Sequence, residues 1–198
     1  MGLAHPRLNP VMIFHRAGIA DAGTVFFYYI WEKIRMTAIP RKSHADKDGP
    51  CRKSDSHGGE RGNAQAREGE KWSKHWHWRN EMAMAMAEAL DMERFGVRAL
   101  YLIGSTKTGE AGPCSDIDLL AHCTDEPVRH QALQSFYEGW GLCLALVNRE
   151  RTGYRIKGSL VDLHIVTDAD IEKRDSFAAM IGSVHNSARL LRKSANDE

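Results

Sequence analysis

The run from Tyr101 to His122, YLIGSTKTGEAGPCSDIDLLAH, constrains the fold more than any other part of the chain. An apolar stretch, Ala99 to Ile103, enters a Gly104-Ser105 turn, and a loop containing Gly109 follows. The chain then re-enters an apolar stretch that carries Asp116 and Asp118. In a strand, residues i and i+2 point to the same side, so the two aspartates are expected to project together. Glycine lets backbone approach a bound group closely, so the neighbouring loop is suited to wrap a phosphate. Paired carboxylates beside such a loop suit Mg²⁺-dependent phosphoryl or nucleotidyl transfer, because Mg²⁺ takes hard oxygen ligands and neutralises phosphate charge. A D-x-D pair alone is a weak signal, since solvated strand ends often carry one. The preceding apolar strand, the Gly-Ser turn and a later Asp-bearing strand, Gly158 to Val166 with Asp162, make the combination specific.

Residues 35–74 hold ten Lys or Arg against six Asp or Glu, with few large apolar side chains. Such composition buries too little apolar surface to order itself, so residues 1–71 are expected to be an N-terminal extension and flexible polar linker. Residues 72–198 are expected to form the folded domain. His75 to Phe95 is rich in Ala, Met, Leu and Glu, which favour helix. Met82, Met86, Ala89, Leu90 and Phe95 form its buried face, and Gly96 stops it. Trp76 and Trp78 fit either an anchor to the sheet or a stacking surface for a base. Strands are expected over 97–103, 115–122, 141–148 and 159–166. Helices are expected over 126–140, capped by Thr124-Asp125 with Pro127 in the first turn, and over 176–191. Thr167-Asp168 is expected to cap a short helix between them. Helices interleaved with strands imply an α/β (α+β) fold.

Composition excludes more than it selects. The net charge is +1, so no electrostatic footprint for nucleic acid is expected. The uncharged run from Ala22 to Trp31 is too short to span a bilayer. No signal peptide is evident, and Cys51, Cys114, Cys123 and Cys143 show no C-x-x-C spacing. Reduced thiols and a cytoplasmic location are therefore expected.

The run at Gly104 to Leu119 resembles the signature of the DNA polymerase beta-like nucleotidyltransferase superfamily. It is most similar to the minimal bacterial type, whose pattern reads G-S-x-A-x-G-E-A-x-P-x-S-D-I-D-L. Gly104, Ser105, Gly109, Glu110, Ala111, Pro113, Ser115, Asp116, Ile117, Asp118 and Leu119 fall in register. Lys107 stands where that family often has Ala, and Thr108 where it often has Arg. The resemblance implies a small mixed β-sheet with helices packed on it, the nucleotidyltransferase fold. It implies two Mg²⁺ ions held by Asp116, Asp118 and Asp162, with Asp162 also helping to deprotonate the acceptor. It implies ATP or another nucleoside triphosphate as substrate, contacted by Gly104, Ser105, Lys107, Gly109 and Ser115. Lys107 would add charge to the phosphates or would simply be exposed. Ser115 would tie the loop to its strand as readily as touch substrate. His164 shares the Asp162 face, in a structural or hydrogen-bonding role. Asp168 and Asp170 read as helix caps. Arg151, Arg155 and Lys157 would attract an anionic acceptor group or lie solvated in a connector.

The activity this implies is transfer of NMP, AMP from ATP in the first instance, to a hydroxyl on a protein or small molecule. The alternatives are an antitoxin-like module that acts by partner binding and a regulatory nucleotide-binding domain. Neither membrane nor nucleic acid is an expected partner.

Overall fold

The computed structural model describes residues 64–175 and 177–195. Expectations for residues 1–63 fall outside the described residues. In chain order the elements are α1 (Ala64–Ala89), α2 (Met92–Phe95), β1 (Val97–Leu102), α3 (Gly104–Thr108) and β2 (Ile117–Cys123). Then come α4 (Pro127–Thr152), β3 (Val161–Val166), α5 (Asp168–Lys173), a 3-10 turn (Ala178–Met180) and β4 (Arg189–Lys193). The four strands form one mixed sheet in the order β3-β2-β1-β4. β2 pairs with β3 in parallel, and β1 pairs with β2 and β4 antiparallel. A parallel neighbour needs a long crossover, and α4 supplies it. The expected mixed sheet with packed helices is the architecture observed.

Among the described residues α1 covers Ala64–Ala89, so its first turns lie in the tract expected to be linker. Met82 and Met86 are buried on its inward face, Leu90 is buried just past its end and Phe95 is buried in α2, as their spacing predicts, while Ala89 is only half-buried. The chain breaks at Leu90-Asp91, where Asp91 Oδ1 accepts the Arg94 N–H at 3.0 Å and caps α2. Gly96 then closes α2.

The 141–148 strand and the 176–191 helix are both corrected by the structure. Residues 141–148 continue α4. Leu133, Tyr137, Trp140, Gly141, Leu144, Ala145 and Asn148 are its buried positions, a spacing of three and four that belongs to a helix. A short apolar run does not by itself separate a buried helix from a strand. The 176–191 segment instead holds the 3-10 turn and the first residues of β4. β4 is an edge strand, mostly exposed, and is held by non-local bonds. It pairs with β1, and Arg192 donates to the carbonyls of Ala87 (2.9 Å), Glu88 (3.1 Å) and Leu90 (2.8 Å). Those carbonyls lie at the C-terminal end of α1, where the last turn lacks intrahelical donors. The expected Thr124-Asp125 cap is also corrected. Glu126 is the N-cap of α4, without a side-chain cap bond, while Thr124 Oγ1 donates to Glu126 Oε1 at 3.1 Å. Pro127 does open the helix.

The sheet has two unlike faces. Leu120 and Val166 form a small core with Ile103 and Ala178, flanked by Tyr101, Ile171 and Met180. Strand alternation puts Asp118, Asp162 and His164 on that same face. The opposite face lies beneath the long helices. Gly141 of α4 comes so close to β3 that an added Cβ would overlap Ser159 Oγ and stand 3.0 Å from Val161 N. Ser159 cannot simply turn away, because its hydroxyl donates to Val161 O at 2.7 Å and accepts from Val161 N at 3.0 Å.

Gly141→Ala gains about 1 kcal/mol of helix propensity and loses more to the overlap, for a net destabilisation of about 1–2 kcal/mol. Urea unfolding checks this through its midpoint, which should fall. A midpoint unchanged or raised would show that α4 does not meet β3 at Gly141.

Candidate active site

Parallel pairing sets Asp118 of β2 directly beside Asp162 of β3. His164 lies two residues further along β3, on the same side. One ligand-capable atom from each of Asp118, Asp162 and His164 falls within 4.8 Å of the others. Asp162 is exposed, and Asp118 and His164 are half-buried. His164 stacks on Phe177, with ring centroids 3.7 Å apart and planes 19° apart. The cluster therefore sits at the sheet surface, open on the Asp162 side. Carboxylate oxygens suit a hard cation such as Mg²⁺, so Asp118 and Asp162 fit one, and the imidazole adds a softer donor.

The Gly-Ser turn packs against this cluster. Gly104 has φ +66°, a conformation that L side chains rarely adopt. A Cβ there would also overlap Asp118 Oδ2 and lie 2.8 Å from its Cγ. Only glycine brings the chain this close to the carboxylate. Gly104 opens α3, which ends at Gly109 (φ +83°). Thr106, fully buried, donates its hydroxyl to Asp116 O at 3.3 Å and joins α3 to the start of β2.

Arg79 holds the loop 109–116 from beneath. It is fully buried. Its guanidinium donates to the carbonyls of Ser115 (2.9 Å), Pro113 (3.1 Å) and His75 (3.0 Å), and to Asn148 Oδ1 (2.7 Å). One side chain thus ties α1, the loop and α4 together. Burial lowers its pKa from 12.5 to about 10, Asp116 opposing the shift and Arg151 adding to it. It stays charged at neutral pH. Arg79 and Arg151 both stack on buried Trp78, at 4.5 and 5.1 Å from a ring centroid, within cation–π range. Trp78 is therefore an anchor within the protein. Trp76 lies alongside the Gly109 turn.

The remaining expected residues divide by what they touch. Asp116 precedes β2, outside the strand alternation, and is not among the ligand atoms gathered by Asp118, Asp162 and His164. Its charge instead acts on Arg79. The Ser115 hydroxyl accepts the Gly112 N–H at 2.9 Å, which shapes the loop. Lys107 Nζ donates to Asn186 Oδ1 (2.6 Å) and Ser187 O (3.0 Å), tying α3 to the segment before β4. Asp170 completes a capping box with Thr167, whose N–H and hydroxyl lower the carboxyl's pKa. Asp168 meets His122 at 2.8 Å and Arg98 at 3.1 Å. Arg151 is half-buried against Trp78, whereas Arg155 and Lys157 are exposed. Cys123 and Cys143 are free thiols, and burial pushes the Cys123 thiol up to about 12, which suits packing and not nucleophilic chemistry.

Sequence reading missed Arg79 and Asn148. Arg79 stands three and seven residues before Met82 and Met86, on the buried face of α1, and a lone arginine on an apolar face is the signal for it. Asn148 was hidden by the reading of its segment as a strand. Arg79→Met should destabilise the protein by about 3–5 kcal/mol, because it takes the guanidinium donors from the Pro113 and Ser115 carbonyls and from Asn148 Oδ1. Arg79→Lys should recover little, since an ammonium cannot reproduce the planar fork. Chemical denaturation of both variants is the check, and near wild-type stability for Arg79→Lys would refute the role of the fork.

A family model described as nucleotidyltransferase domain matches residues 89–189, just over half of the chain's 198 residues. No curated protein and no solved structure gives a match. The matched region begins at the end of α1 and runs through the glycine turn, Asp118 and Asp162 to the start of β4. The chain belongs to the nucleotidyltransferase domain family.

Proposed function

We propose that this protein transfers a nucleoside monophosphate, AMP from ATP, to a hydroxyl on a protein or small-molecule acceptor, and does so in the cytoplasm. The observation that carries the reading is the side-by-side placement of Asp118 and Asp162 against the Gly104 backbone. The acceptor oxygen attacks the α-phosphorus and forms the new P–O bond. The bond from the α-phosphorus to the bridging oxygen breaks, and pyrophosphate leaves.

The chain's residues divide this work. Gly104 lets the backbone approach the triphosphate, and Ser105 offers its N–H and hydroxyl to phosphate oxygens. Gly109 and Ser115 keep the loop in shape. Lys107 reaches the phosphates only by releasing Asn186 and Ser187. Asp118 and Asp162 would hold one Mg²⁺, and Asp116, at the mouth of β2, would complete the binding of a second. When bound, the ions neutralise charge on the phosphate oxygens. Asp162, exposed at the open side, would take the proton of an arriving hydroxyl.

No helix among the described residues is long and apolar enough to cross a membrane. Incubation of the protein with α-labelled ATP, Mg²⁺ and a bacterial lysate should label an acceptor. Asp118→Asn should reduce the labelling by at least about 100-fold. Folded wild-type protein that transfers no label from any of the four nucleoside triphosphates would overturn the reading in favour of a partner-binding module.

A further inference from the structure

We propose that His164 is a metal ligand, so that Asp118, Asp162 and His164 form a mixed oxygen–nitrogen site that takes a transition-metal divalent ion of the Mn²⁺ class in preference to Mg²⁺. The inference rests on the nucleotidyltransferase reading of this face and refines which cation serves it.

The ring of His164 is placed by two contacts. Its face packs on Phe177 at 3.7 Å, and its Nε2 edge faces Asp162 Oδ2 at 3.6 Å. The second distance is too long for a hydrogen bond. It does suit two donors around one ion, since ligands at about 2.1 Å from a metal stand about 3 to 4 Å apart. Asp118 completes the set, all three donor atoms lying within 4.8 Å of one another. Small side-chain rotations close the remainder. The strand register makes the grouping intrinsic to the fold: Asp162 is the β2–β3 partner of Asp118, and His164 is the partner of Leu120, two residues along.

Donor chemistry sets the preference. Mg²⁺ favours all-oxygen surroundings and gives up its waters reluctantly. Imidazole suits first-row transition ions, most strongly those late in the series, and even Mn²⁺, the weakest of them and at home among carboxylates, accepts a nitrogen donor more readily than Mg²⁺. Replacing one oxygen donor or water with imidazole therefore weakens the advantage of Mg²⁺. The stack on Phe177 lowers the cost, because the ring's rotation is already restricted before an ion arrives.

The test uses Mn²⁺ alone as the probe, on the full chain. Pulsed EPR of the Mn²⁺-loaded protein should show coupling to a directly bound ¹⁴N. Labelling the histidines with ¹⁵N should convert that signal without any substitution. His164→Phe, which keeps a ring against Phe177, should abolish the coupling and weaken Mn²⁺ binding by about tenfold or more. It should also reduce the Mg²⁺ excess needed to displace Mn²⁺. Mn²⁺ bound in an Asp118-dependent way without nitrogen coupling would overturn this inference and leave the carboxylate site standing. Mn²⁺ binding that is absent, or indifferent to Asp118→Asn, would overturn both.

Discussion

A guanidinium shut away from water must place its donors on acceptors, because an unpaired buried charge costs several kcal/mol. Arg79 meets that condition through carbonyls of its own helix and of the loop before β2, and through the Asn148 amide of α4. The planar fork of Arg fixes directions as well as distances. Helix, loop and crossover therefore settle their positions together, and the loop they fix is the one that leads from the glycine turn to Asp118. Asp116 and Trp78 add to the same arrangement, one by its charge and one by its ring.

Everything downstream is register. Once the loop is set, Ile117 N donates to Leu160 O at 2.8 Å and β2 enters the sheet beside β3. Parallel pairing then places Asp118 against Asp162. A slip of one residue would send one carboxylate to the helix-covered face. The close approach of α4 at Gly141 holds the start of β3 in place, with Leu160 N bonded to Gly141 O at 3.0 Å. Gly104 packs its backbone on Asp118 from the other side. The face that carries Asp118, Asp162 and His164 is thus built from backbone geometry, and its side chains are few.

Much of this was readable in the sequence, because the informative signals were local. The Gly-Ser turn, the strands on either side of it, the Met-rich helix and the Asp162 strand each rest on neighbouring residues. The misreadings came where neighbours are ambiguous. The apolar run from Gly141 to Asn148 fits a strand or a buried helix, and only its packing against Ser159 and β3 decides. β4 has almost no buried face and exists because β1 and the end of α1 supply its partners. Arg79 is polar on an apolar face, and its purpose depends on acceptors 34, 36 and 69 residues away. Asp116 and Asp118 straddle the start of β2 at Ile117, so strand alternation alone does not set how the two carboxylates stand to each other.

The most direct measurement is a crystal structure of the protein with a non-hydrolysable ATP analogue and a divalent cation. The account predicts the triphosphate against the Gly104-Ser105 turn and a cation held between Asp118 and Asp162. A nucleotide bound away from this face, or a triphosphate bound there with no cation on either carboxylate, would contradict it.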